Sequence, residues 1–326
     1  MPPRESTEKQ NGPGRQGGFS LVEMLAALVI LLGVAGIVMT GLMQMTFTQA
    51  TIQNRSEMHS SVRSATELLE QEIGQAGKVS LYGAGTGSTS LTSGVAIGNS
   101  VSTTVADATG MFEGEQLVID AGSNEETVKI ANSSLVLSTN TFKATYTLAH
   151  ANGTPVRVAG AFASGILPTT ASNGSGPNLL KLYGDINADY NMEYVEYTCT
   201  PSASGGSLYR NVVNIAPGAT KPGVASSMIL LSNVLPNPPD PGTTGPAPCF
   251  KYQQKTVGPD TYVVDVSVTL TVQTQNKDPQ THQFQQETKA LLNVSPRNIF
   301  DGWELASAGV PNRIQPIPST VTSLLP

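Results

Sequence analysis

The chain has 326 residues, a formal net charge of −6 and only 13% charged side chains, alongside 32 glycines and 22 prolines. That length is ample for a buried core and exceeds one typical domain. The absence of any Lys/Arg block removes the electrostatic footprint of a nucleic-acid-binding protein, and the low charge with abundant Gly, Ser and Thr suits a β-rich extracytoplasmic chain better than a cytosolic enzyme.

Residues 1–18 are polar, and Pro2, Pro3, Gly12 and Pro13 discourage regular structure there. Arg4, Lys9 and Arg15 favour retention of this leader on the cytoplasmic side, a rule in which Glu5 and Glu8 count for little. An apolar run follows from Phe19 to Met43, and at about 1.5 Å of helical rise per residue it outreaches roughly 30 Å of hydrocarbon. Glu23 is the sole charge between Phe19 and Arg55. A lone acid in such a segment is costly and marks a functional position by default.

The stretch Gly18-Phe19-Ser20-Leu21-Val22-Glu23-Met24-Leu25 resembles the prepilin signal and N-terminal helix of type IV prepilins and type II secretion pseudopilins. The resemblance implies cleavage after Gly18 by a prepilin peptidase and N-methylation of the new terminus at Phe19. Glu23 becomes the fifth mature residue, which in the family offsets the terminal amine of a neighbouring subunit during assembly. A buried carboxylate needs a cationic partner, and an amine on an axially shifted neighbouring helix supplies one. Two plainer readings compete: a secretory signal cleaved near Gly33-Val34-Ala35, and a membrane anchor without an assembly role.

Beyond Met43 the sequence turns polar but keeps helical spacing. Val62, Ala65, Leu69, Ile73 and Ala76 recur at three- and four-residue steps, with Arg63, Glu67, Glu70 and Glu72 largely off the stripe. One helix is therefore expected over 19–77, with 19–43 transmembrane and an amphipathic second half packed on a head domain. Many pilins of the resembling family carry a proline where this chain has Thr40. Gly33, Gly36 and Gly41 are the remaining soft points.

Residues 78–104, rich in Gly and Ser, read as a linker; their glycines fit neither a dinucleotide fingerprint nor a P-loop. Residues 105–160 alternate and turn like a small β insert, with strands expected at 116–120, 126–130, 134–137 and 155–158. The Gly-Glu-x-Leu-x-Ile-Asp-x-Gly start at Gly114 and the His-x-x-Gly-x-x-Val end at His150 resemble a compact, barrel-like β module of bacterial and phage surface proteins. His150 reads as a turn or packing residue.

Residues 161–298 are expected to form the head sheet after a Gly/Ser/Asn loop at 161–177. Within it, Asp185, Asn187, Asp189, Asn191, Glu193 and Glu196 occupy positions 1, 3, 5, 7, 9 and 12 of a calcium-loop spacing. The usual glycine at position 6 is Tyr190, and the exit alternates like a strand, so the competing reading is a solvated Asx turn entering a strand. Calcium is the one cofactor the sequence suggests; some pseudopilin heads carry such a site.

Cys199 and Cys249, an even pair in an exported chain, read as a disulfide, the alternative being two separate buried thiols. Gly205-Gly206 marks a hairpin, and Val195-Glu196-Tyr197 with Gly206-Ser207-Leu208-Tyr209-Arg210-Asn211 resembles the central hairpin of PilW-type minor pilins and J-type pseudopilins. Residues 228–234 suit a strand, and the Pro-rich loop from Pro236 to Pro248 reaches Cys249. Strict alternation from Tyr262 to Gln273, then return from Thr281 to Val294, predicts a hairpin at the centre of the head. The tail, 299–326, reads as irregular, with Trp303 as a packing anchor.

His59, His150 and His282 share no motif, and no hydrolase, zinc or redox signature occurs, so no enzyme is expected. The resulting expectation is an α+β pilin-like protein: a minor pilin of the PilW type, single-pass in the inner membrane with a periplasmic head before it enters a surface fibre. Its partners would be other pilins through the helix, and the prepilin peptidase. A type II secretion pseudopilin and a tip adhesin are the alternatives.

Overall fold

The computed structural model describes residues 18–325. All of the expected leader but Gly18 lies outside the described residues. The protein is α+β, a long N-terminal helix followed by antiparallel sheets. Helix α1 spans Leu21–Gln75 without interruption. Thr40 does not break it: its Oγ1 donates back to the Gly36 carbonyl at 2.8 Å, a bond a helical threonine makes without leaving the helix. The apolar half, through Phe47 and Ile52, is exposed. Val62, Ala65, Leu69 and Ile73 are buried as their spacing predicts, joined by Met58 one turn earlier. The helix stops where Gly77 takes a φ of +79°; a Cβ there would lie 2.6 Å from Ile299 Cγ1. The chain then enters the head directly, since the Gly77 amide donates to the Tyr183 carbonyl and the Phe162 amide to the Gly77 carbonyl.

The expected linker at 78–104 is instead part of the insert. It carries β1 (Thr89–Ser90) and β2 (Gly98–Thr104), and buries Leu81, Leu91 and Val95. The glycines and serines there shape turns between short strands. β3 (Gln116–Ile119), β4 (Glu126–Lys129), β5 (Thr141–Tyr146) and β6 (Pro155–Val158) complete the insert. The order β1-β6-β3-β4 forms one sheet and β2-β5 another, and both enclose a core that includes Leu117, Ile119, Val128, Phe142, Tyr146 and Val156. The strand expected at 134–137 is a turn; its apolar Val136 and Leu137 are exposed, and the strand falls at β5, whose alternate Phe142, Ala144 and Tyr146 are buried.

β7 (Ala161–Phe162) returns the chain to the head. The main sheet contains β8 (Leu179–Gly184), β9 (Glu193–Thr200), β10 (Gly206–Asn214) and β11 (Ile229–Leu235). After a small ribbon, β12 (Asn237–Pro239) with β13 (Pro246–Ala247), it is completed by β14 (Phe250–Val257), β15 (Asp260–Gln273) and β16 (Gln286–Val294). The order is β14-β15-β11-β10-β9-β8, and β16 also pairs with β15, so the strictly alternating strand is the branch point of the sheet. The partner strand begins at Gln286 rather than Thr281 because Asp278 holds the preceding loop: its Oδ1 accepts the amides of Gln280 and Thr281. The α1 stripe packs against Leu182, Val195, Val266, Val268 and Leu270 of this sheet.

The expected irregular tail is ordered. It forms α2 (Arg297–Ser307), β17 (Ile314–Gln315), which pairs in parallel with β7, and α3 (Ser319–Leu324). Ile299 and Val321 are fully buried, and Trp303 stacks at a tilt on Phe300, ring centres 5.3 Å apart. Helical spacing within Ile299, Phe300, Trp303 and Ala306, all part of or packed against the main core, carries α2 despite the flanking prolines.

Candidate functional site

The start of α1 is built by Ser20, Val22 and Glu23. Ser20 is extended at the N-cap and its Oγ accepts the Val22 amide at 3.3 Å, while Glu23 Oε2 accepts the Ser20 amide at 3.1 Å. This is a reciprocal capping box, with the carboxylate at the positive end of the helix dipole. Gly18 lies just before it, and Phe19 is 83% exposed. The described chain thus gives Glu23 a local hydrogen bond and no cation. The helix meets the length and apolar composition needed to cross a membrane, and the membrane-grade window has none of its residues buried.

At its other end α1 is joined to the head by a polar cluster that helical spacing alone did not reveal. Glu72, placed largely off the apolar stripe by the sequence reading, is only 4% exposed. Its carboxylate is gripped by the Arg210 guanidinium through Nε and Nη2 and accepts the Tyr197 hydroxyl at 2.5 Å. Tyr197 on β9 and Arg210 on β10 are direct cross-strand partners, so the sheet register aims both at one turn of α1. Burial, and then the neighbouring Glu72 carboxylate, push the Tyr197 phenol well above its ordinary range, leaving it a donor. The retrospective signal is that Glu72 stands three residues after Leu69, on the same helical face.

The six residues with calcium-loop spacing do not converge on a common point. Asp185 is fully buried and its Oδ2 accepts Lys78 Nζ at 2.7 Å and Ser80 Oγ at 2.6 Å. Asn187 and Asp189 form two successive Asx turns that end at Asn191: Asp189 N donates to Asn187 Oδ1, and Asn191 N to Asp189 Oδ1. Glu193 and Glu196 stand on opposite faces of β9, because they are three residues apart in a strand. Glu196 Oε2 is held by the Tyr194 hydroxyl and Lys221 Nζ, with Lys181 Nζ at 3.9 Å. Among the described residues no group of three or more His, Cys, Asp or Glu side chains is arranged to hold a metal. The spacing instead places one acid at the helix exit and another at the opposite face of the sheet.

The insert has its own polar interior. His150 has a fully buried side chain whose Nε2 lies 2.7 Å from Glu126 Oε1, with Asp120 Oδ2 3.4 Å from Nδ1. Glu126 also accepts the amides of Thr147 and Leu148, so His150 packs into a loop-closing cluster, and among the described residues no Ser, Thr or Cys hydroxyl or thiol bonds to its ring. Its ring meets Tyr146 edge-on at 5.9 Å. His59 faces Glu287 across α1 and β16, far along the chain from the insert.

Glu115 is a further buried acid, within the insert. It is 0% exposed, accepts only the Phe112 amide at 3.3 Å, and its Oε1 has no partner among the described residues. Burial raises its carboxyl well above the ordinary Glu value of 4.5. The folded chain therefore binds more protons than the unfolded chain, and stability falls as pH rises from that value towards the folded one. Glu115→Gln should raise the melting temperature at neutral pH and flatten the loss between pH 5 and 8. Melting curves across that range, showing the same slope in both proteins, would remove this account.

Compared with models of known protein families, with curated proteins and with solved structures, the chain matches none.

Proposed function

We propose that the chain is a minor pilin of a type IV pilus, cleaved after Gly18 and inserted through α1 into the core of a fibre, where it helps initiate or cap assembly. The observation that carries this reading is the two-part character of α1. Its first half exposes a continuous apolar surface with a single acid at the start, and its second half is buried on a β head. Such a surface is stable only in a bilayer or among similar helices. The capping box supports the role given to Glu23. It neutralises the helix end while the chain waits in the membrane, and a neighbour's terminal amine, a full charge in a low-dielectric setting, replaces that amide in the fibre. Prepilin peptidase and other pilins are the partners in this reading, with the head periplasmic before export.

Gly18→Ala should leave the precursor uncleaved, and the mature wild-type terminus should be N-methylated Phe19 by mass spectrometry. Glu23→Ala should be cleaved normally yet give few or no surface fibres by electron microscopy. A mature terminus elsewhere, or full piliation with Glu23→Ala, refutes the proposal.

A further inference from the structure

The loop joining β15 to β16, residues 274–285, reaches down α1 to the edge of its apolar half. Gln280 Nε2 donates to Thr48 Oγ1 at 3.5 Å, across 232 residues of chain. Every residue of α1 before Ala50 is exposed, and Ala50 and Thr51 are the first to be partly covered. The first charge of α1 after Glu23 is Arg55, so the loop meets the helix on the membrane side of every later charge. Thr48 lies five residues past Met43, about 8 Å of helical rise. A headgroup layer adds about 5–8 Å beyond the hydrocarbon on each side. When the run 19–43 spans a bilayer, the loop therefore stands at headgroup depth.

The loop is built to hold its shape there. Asp278 is 6% exposed, and besides the two amides already described, its Oδ2 accepts Gln285 Nε2 at 2.8 Å. The Asp278 amide donates to the Gln283 carbonyl, and the His282 amide to the Asp278 carbonyl. Asp278 is the only acid between Thr274 and Gln285, so the sole negative charge of the loop is turned inward. Facing out are Lys277, exposed, and Phe284, 39% exposed, with the lysine Nζ 5.6 Å from the ring centre. In a chain of net charge −6, a tip with an outward cation, an outward aromatic and no outward acid is complementary to a phosphate layer over hydrocarbon.

We propose that this loop is a foot by which the head stands on the lipid bilayer. The Phe284 ring enters the headgroup layer, and Lys277 lays its methylene stem beside that ring and its ammonium against lipid phosphate. The hydrogen bonds of Asp278 keep the loop from folding away. The head is thereby held over the membrane at a second point besides α1, and it must give up the lipid contact when α1 leaves the bilayer. The inference rests on the reading of α1 as a membrane span, and its test keeps the two apart.

The full chain is placed in nanodiscs of phosphatidylcholine and phosphatidylglycerol in which part of the phosphatidylcholine carries a TEMPO headgroup, a short-range fluorescence quencher. Trp303 is an internal control: it sits on α2, whose Asn298 bonds to the Gln75 carbonyl, about 40 Å of helical rise above Thr48. Wild-type emission should be unaffected by TEMPO lipid. Phe284→Trp replaces one half-exposed aromatic by another, should melt with wild type, and should add emission that TEMPO lipid quenches several-fold. Phe47→Trp, in the apolar half of α1, should be quenched as well. Lys277→Glu should weaken the quenching of Phe284→Trp and leave that of Phe47→Trp unchanged. Quenching of Phe47→Trp without that of Phe284→Trp overturns the proposal and leaves the span standing, whereas quenching of neither overturns both. Equal quenching of Phe284→Trp with and without Lys277→Glu assigns its proximity to the helix tether alone and also overturns the proposal.

Discussion

Arg210→Ala should lower the stability of the head by about 3 kcal/mol, the scale for removing one partner of a buried ion pair, and its melting temperature by roughly 10 °C for a domain of this size. The cause is what remains behind. Glu72 has a side chain only 6% exposed and would keep the Tyr197 hydroxyl as its partner but no cation. Glu72→Gln is the milder change, because the amide oxygen still accepts from Tyr197 while the buried charge disappears. Replacing Glu72, Tyr197 and Arg210 together by Leu, Phe and Leu should recover much of the loss, since well-packed apolar groups often match a buried ion pair. Thermal unfolding of the four proteins by circular dichroism decides the matter. Equal melting of Arg210→Ala and wild type would show that the cluster adds nothing to the helix–sheet joint.

The consequence for assembly is direct. The cluster fixes which turn of α1 faces the sheet, and so fixes the height of the head along the helix. If the apolar half of α1 enters a fibre as proposed, a chain with a loosened joint should be processed normally but present its head poorly. Stability and piliation should then fall together for Arg210→Ala, whereas Glu23→Ala should lose piliation alone.

The long helix and the branch strand were legible because each carries a strong period: three to four residues along Val62 to Ile73, and two along Tyr262 to Val272. The insert was harder to bound. Its first strands hide in a Gly/Ser-rich stretch whose composition resembles a linker, and β2 buries Thr103 rather than an aliphatic residue on its inner face. The stretch 134–137 misled because Leu135, which packs on the insert core, is followed by exposed Val136 and Leu137, and the three together mimic a strand of buried residues. The calcium spacing is a pattern along the chain alone, and two of its acids fall in a strand, where a separation of three reverses the face. Glu72 was obscured because an acid on a helix reads as solvated until the sheet register that brings Tyr197 and Arg210 beside it is known.

Replacing both cysteines by serine should cost about 4 kcal/mol on the chain-entropy scale for closing a 50-residue loop. Cys199 and Cys249 form the disulfide, their Cα atoms 6.5 Å apart, and both are buried. Cys199 lies near the end of β9, and Cys249 directly precedes β14, after the loop Pro236–Pro248. That loop is poor in buried side chains: Asp240 to Gly245 cover little of the core, and its polar anchor is Asn237, whose amide donates to Thr269 O at 2.8 Å. Without the crosslink the unfolded chain gains the freedom of this long excursion, while the folded chain loses a link between β9 and β14, strands well separated in the sheet order. Dithiothreitol should reproduce the effect of the double substitution in wild type and have none on the variant. Free thiols found by non-reducing mass mapping, or a melting temperature insensitive to both treatments, would show that the β14 hairpin stays seated without the covalent link.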